Sequence, residues 1–116
     1  MLNRAAIILR YKEPAIRWIN DADPYKETHE ITADNVNDDR TVYLISTEDG
    51  DGASAVDRWI KKNYKTVFEE ELDGWYTDTA LWPQKRTLKL FCEWFDVECH
   101  SVLIDTVGGS IYDDDI

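Results

Sequence analysis

The feature that most confines this chain is a short apolar run near its start, Ala5-Ala6-Ile7-Ile8-Leu9, closed by Arg10. Five continuous apolar residues rich in isoleucine read as a buried strand, here extended over residues 5–11. A different period begins at once. Pro14 suits the first turn of a helix, where its missing N–H costs nothing. Ala15, Trp18, Ile19 and Ala22 follow at i, i+3, i+4 and i+7, one face of a helix that must end before Pro24.

The polar, acidic stretch 24–40 has only Ile31 and Val36 to anchor it, and a short strand is expected around His29–Thr32. Thr41–Ser46 is β-branched at its start and bounded by acidic turns, which predicts a second strand. A helix is expected from about Ala53 to Tyr64, with Ala53, Val56, Ile60 and Tyr64 on one side. Thr66-Val67-Phe68-Glu69 has capping-box spacing, which favours a fresh helix start there, ended by Gly74. That division also places Glu69, Glu70 and Glu71 in a first turn, where the helix dipole favours acids.

A further helix is expected from Pro83 to about Asp96. Leu88, Phe91, Cys92 and Phe95 form its core stripe, and Leu90, Trp94 and Val97 a second stripe roughly opposite. A helix apolar on two sides is either sandwiched in the fold or carries a partner surface. A last strand is expected over Ser101–Val107, followed by a Gly108-Gly109 turn and the fragment Ser110-Ile111-Tyr112.

This order predicts an α+β or α/β fold: a small mixed sheet of three to five strands packed with three to four helices. Right-handed crossovers would make the first two strands parallel neighbours. Residues 1–112 are expected to form one globular domain, with 113–116 as an acidic C-terminal tail.

Charge bounds the partners. The chain carries 24 acidic against 13 basic residues, a formal charge of −11. A field of this sign repels phosphate backbones and anionic lipid, so neither nucleic acid nor a membrane is expected as partner. Solubility accounts for such a surface, and a basic protein partner is the sharper alternative. The first apolar run is too short for a signal-peptide core or a membrane span, which gives a cytoplasmic expectation. Cys92 and Cys99 form no C-x-x-C pair and are expected as reduced thiols, Cys92 as a small core residue.

Several constellations resemble sites. Gly50-Asp51-Gly52-Ala53-Ser54-Ala55 satisfies G-x-G-x-x-A, but Glu48, Asp49 and Asp51 would crowd a pyrophosphate with like charge. The pattern reads instead as a flexible turn into a helix capped by Asp51 or Ser54. An EF-hand alignment on Gly52 puts Thr47 first and Arg58 last, where calcium needs carboxylates. Cys99 and His100 point to opposite sides of an extended chain and cannot form a dyad. Neither metal nor cofactor is expected.

One enzyme-like arrangement follows from parallel strands. Ligands bind beyond strand carboxyl ends, where Lys12, Glu48, Asp49 and Asp105 would gather and hold Mg²⁺ for phosphate chemistry. On that reading the chain is a metal-assisted hydrolase or phosphotransferase.

Arg58, Lys61, Lys62 and Lys65 form a basic stripe, read as the outward face of their helix. Trp75, Tyr76 and Trp82 fall in a connection, where large rings either anchor a partner or fold over the sheet edge and plug it. Joined to Leu90, Trp94 and Val97, they are the candidate partner-binding surface. The leading expectation is therefore a protein–protein interaction or regulatory module, self-associating or binding another protein. A structural subunit without ligand is the third reading.

Overall fold

The computed structural model describes residues 1–25 and 30–114. It is an α+β fold. The elements run β1 (Arg4–Tyr11), α1 (Glu13–Ala22), α2 (Ala33–Val36), β2 (Val42–Ser46), α3 (Ala53–Trp75), a 3₁₀ turn (Thr79–Leu81), α4 (Leu88–Trp94) and β3 (Phe95–His100). The three strands form one antiparallel sheet in the order β2-β1-β3.

β1 and β2 are neighbours but antiparallel, which corrects the parallel expectation. The cause is a side-chain clamp at the end of β1. Asn37 Oδ1 accepts from the Tyr11 N–H at 2.8 Å, and its Nδ2 donates to the Tyr11 carbonyl at 3.3 Å. α1 carries the chain away from that end of β1, and the segment through α2 returns it there. β2 therefore starts beside the end of β1, with Ile8 opposite Val42 and Arg4 opposite Ser46.

A similar clamp replaces the strand expected around His29–Thr32. His29 lies outside the described residues, and Glu30–Thr32 form no strand. Asn20 instead binds both backbone groups of Ile31, at 2.8 and 3.0 Å, and Thr32 caps α2 through a reciprocal box with Asn35.

α3 is one continuous helix of 23 residues, not two. Its apolar stripe explains this. Ile60, Tyr64, Val67, Phe68 and Leu72 keep one helical phase through the expected break, and Thr66 points outward, exposed. A local capping signal loses to burial of a continuous face. The helix opens at Gly52, whose φ of +89° suits glycine, with no side-chain cap from Asp51 or Ser54.

The later elements are shifted as well. α4 starts only at Leu88, with the Thr87 side chain accepting from the Leu90 N–H, and passes straight into β3 at Phe95. From there alternate residues face the core: Phe95 lies opposite Tyr11, Val97 opposite Leu9 and Cys99 opposite Ile7. Residues 101–107 form neither strand nor helix, and no hairpin forms at Gly108-Gly109. Cys92 is exposed rather than part of the core.

All four helices press on one side of the sheet. Ala5, Ile7, Leu9 and Tyr11 of β1 join Ile16, Ile19, Ile60, Phe68, Leu72, Phe91, Trp94 and Phe95 in a single core cluster. Phe68 stands at its centre, with ring centroids 5.3–5.8 Å from those of Phe91, Trp94 and Phe95. Among the described residues no helix is long and apolar enough to cross a membrane.

Candidate functional site

The antiparallel sheet separates the strand-end group. Lys12 follows β1 at one end of the sheet and pairs with Asp96 at 3.5 Å. Glu48 and Asp49 follow β2 at the other end, beside Arg4, and are exposed. Asp105 lies beyond β3, its carboxylate accepting from the Val107 N–H at 2.9 Å. The four residues share no common site. Among the described residues no three His, Cys, Asp or Glu side chains stand where they could hold a metal ion. His100 is exposed, 3.8 Å from the Glu98 carboxylate, and its side chain leaves the sheet opposite to that of Cys99.

The aromatic candidates are placed by packing. Trp94 is buried against Trp18 and Phe68. Leu90 is half-buried against the core, and Val97 faces it. Trp75 donates to the Tyr11 hydroxyl at 2.9 Å, and Trp82 donates to the Tyr76 carbonyl at 2.6 Å. The Tyr76 hydroxyl donates to the Ile19 carbonyl, Trp18 donates to the Leu81 carbonyl at 2.9 Å, and Trp18 and Tyr76 meet edge to face. The connection 76–87 thus folds over α1, not over a sheet edge. Arg86, outside α4, rests its guanidinium 5.6 Å from the Trp82 ring centre. The six side chains do not compose one exposed patch.

A polar network missed by sequence reasoning lies where β1, β2 and α3 meet. The Glu71 carboxylate accepts from the Tyr11 hydroxyl at 2.6 Å and from the Tyr43 hydroxyl, while Trp75 donates to Tyr11. Burial first, and the Glu71 carboxylate second, push the Tyr11 phenol far above its ordinary range; burial and the same carboxylate do so for Tyr43. Phenols held so firmly protonated exchange no proton near neutrality, so the network ties elements together rather than moving protons. It flanks a small cavity of about 190 Å³ lined in part by Tyr11, Arg40, Glu70 and Trp75. One signal was present in the sequence: Glu71 falls on the apolar stripe of α3, between Phe68 and Trp75.

The second feature missed is the far side of the sheet. Strand pairing places Arg4, Ala6, Ile8 and Arg10 of β1 there, with Val42, Leu44 and Ser46 of β2 and Asp96, Glu98 and His100 of β3. No helix covers it. Ala6, Ile8, Val42 and Leu44 all stay outside the core cluster; Ala6 is 3% exposed and Ile8 half-buried, while Val42 and Leu44 are 52% and 54% exposed. An antiparallel sheet with a solvated face normally sets polar side chains there. Here the β1–β2 half is apolar.

The charges on this face are unlike those of the whole chain. Arg40 donates to Glu98 at 3.1 Å and holds that carboxyl below its ordinary range, while Lys12 pairs with Asp96. Arg4 and Arg10 form no ion pair among the described residues. Four bases, Arg4, Arg10, Lys12 and Arg40, therefore meet three acids, Asp96, Glu98 and, just beyond β2, Glu48, in a chain of formal charge −11.

No protein-family model, curated protein or solved structure matches this chain.

Proposed function

We propose that this chain is a protein–protein interaction module whose contact surface is the helix-free face of its sheet. One observation carries the reading: Val42 and Leu44, each more than half exposed, continue an apolar strip from buried Ala6 and half-buried Ile8 to the unpaired outer edge of β2. That edge, Val-Tyr-Leu-Ile-Ser, has no proline, lysine or other charge, the usual means of blocking strand addition. Two arginines without carboxylate partners among the described residues border the strip, so the fitting partner presents an extended segment with apolar side chains and carboxylates.

The six aromatic and apolar residues expected from sequence serve this function indirectly, by stiffening the support behind the sheet. The contact side chains are Val42 and Leu44, with Arg4 and Arg10 as flanking charges.

The test compares capture of proteins from the chain's own cells by three purified forms. A Val42→Lys/Leu44→Lys pair alters the open face, and Lys62→Glu alters the exposed side of α3. The reading expects discrete species retained by the unmodified chain and by Lys62→Glu, and lost with the lysine pair. Equal retention by all three forms, or none by any, contradicts it.

A further inference from the structure

Resting on that reading of the open face, we propose that its occupant is the C-terminal arm, residues 101–114, of a second copy, exchanged reciprocally about a two-fold axis. Nine large hydrophobic side chains stand exposed among the described residues, and seven of them fall into two groups. Val42 and Leu44 are on the open face; Val102, Ile104, Val107, Ile111 and Tyr112 are in the arm. The arm has neither helix nor strand.

Charge matches the two groups. The open face and its borders carry four bases against three acids, whereas the arm carries Asp105, Asp113 and Asp114 and no base. Apolar and acidic residues on the arm thus complement apolar and basic residues on the face. The whole-chain charge opposes the approach of two copies, but that repulsion is screened beyond about 8 Å at physiological salt.

The arm's anchorage directs it outward. The Leu2 N–H donates to the Leu103 carbonyl at 2.8 Å, so the arm leaves the sheet in line with β3. Gly109, at φ +101°, supplies a bend that other residues rarely adopt. Within one copy the far end of the arm reaches the outer side of β2, where Asp113 joins Tyr43, Leu44, Trp59 and Val67 around a groove of about 720 Å³. No backbone hydrogen bond joins arm and β2 among the described residues. The outer edge of β2 stays unpaired among the described residues.

Direct pairing of β2 with β2 of another copy fits less well. Antiparallel pairing centred on Leu44 would set Asp39 of one copy against Asp49 of the other, acid against acid, with Arg40 opposite Glu48 offsetting it in part.

Sedimentation velocity of the full chain, from about 1 μM to about 1 mM, reads the assembly directly. The expected result is a rise from monomer to dimer mass. Ile104→Asp with Ile111→Asp should raise the midpoint concentration at least tenfold, and these side chains are exposed, so the monomer stays folded. Arg4→Glu with Arg10→Glu should do likewise, and adding Asp113→Lys with Asp114→Lys should recover dimer.

A monomer throughout, or a dimer indifferent to the arm pair, overturns the proposal. So does concentration-independent protection of β2 amides, which would mean that the arm closes on its own chain. Loss of the second copy alone is distinguishable from loss of the open-face reading: in the first case capture of another protein remains sensitive to Val42→Lys/Leu44→Lys, and in the second it does not.

Discussion

Gly50→Ala isolates one contact on which the fold depends. Gly50 is buried at the end of the turn after β2, and its N–H donates to the Ser46 carbonyl at 3.1 Å. A Cβ placed there would sit 2.4 Å from the Ala5 Cβ, with Cys99 Sγ and the Ser46 carbonyl oxygen both at 3.6 Å. Ordinary carbon contacts begin near about 3.5 Å, so the turn must move by roughly 1 Å. Ala5 cannot yield. It is fully buried in the central strand, paired with Ile45, and has no rotamer to change.

Two opposing terms decide the sign. Alanine restricts the unfolded chain and on that ground stabilises by about 0.4–1 kcal/mol. Overpacking against a rigid wall costs about 1–3 kcal/mol. The clash wins, leaving a net loss of about 1–2 kcal/mol and a Tm lower by several degrees.

Urea unfolding of four forms measures it: the unmodified chain, Gly50→Ala, Ala5→Gly and the double variant. Ala5→Gly alone destabilises, because it removes a buried methyl and loosens a strand. Made in that background, Gly50→Ala should be neutral or stabilising, giving a coupling of at least about 1 kcal/mol. Strict additivity, or a Gly50→Ala form as stable as its parent, would refute the reasoning.

Three further outcomes follow from the same structure. Thr66→Ala should stabilise by about 0.5 kcal/mol in urea unfolding, as in an exposed helix interior, whereas loss of a helix cap would cost about 1 kcal/mol. Tyr11 and Tyr43 keep their protons in the folded state above pH 10, where unfolded tyrosine loses them. Stability is therefore whole below about pH 10 and falls as pH rises above it, and Tyr11→Phe with Tyr43→Phe should flatten that fall. A thiol reagent near pH 8 should modify exposed Cys92 first and Cys99 slowly, because burial raises the Cys99 thiol and limits access; equal rates would contradict the packing of β3 on the core.

Local pattern made much of this fold legible. The runs at 5–11 and 41–46 are strands, and the spacing of Ala15, Trp18 and Ile19 is a helix, because each segment declares its own period. Orientation was not legible. It depends on Asn37 binding Tyr11 across 26 positions, and neither residue signals the other. At Thr66 a correct local rule was overruled by the unbroken phase from Ile60 to Leu72. Between Trp94 and Phe95 no turn residue separates helix from strand, so the helical spacing of Phe91 and Phe95 hid the alternation of Phe95, Val97 and Cys99. Residues 101–107 resemble a strand in composition, but among the described residues only the Leu2 N–H to Leu103 carbonyl bond continues the pairing beyond His100.

The candidate surface followed the same division. Trp75, Tyr76 and Trp82 were expected as large rings in a connection, yet Trp75 ends α3 and the polar atoms of all three have partners within the fold. The open face could be recognised only after the register was known, because Ala6 and Ile8 belong to the same apolar run as Ala5, Ile7 and Leu9. Alternation then sends Val42 and Leu44 to the same side, opposite to Tyr43 and Ile45.

The most direct test of the central claim is amide hydrogen exchange at β2, read at low and at high protein concentration. The β2 N–H groups turned away from β1 should exchange rapidly in dilute solution and slow markedly when concentrated, in step with the arm amides beyond Leu103. Substituting Leu44→Lys should abolish that slowing while leaving β1 protected. Rapid exchange at every concentration, with or without the substitution, would contradict an interaction surface at this face that joins two copies.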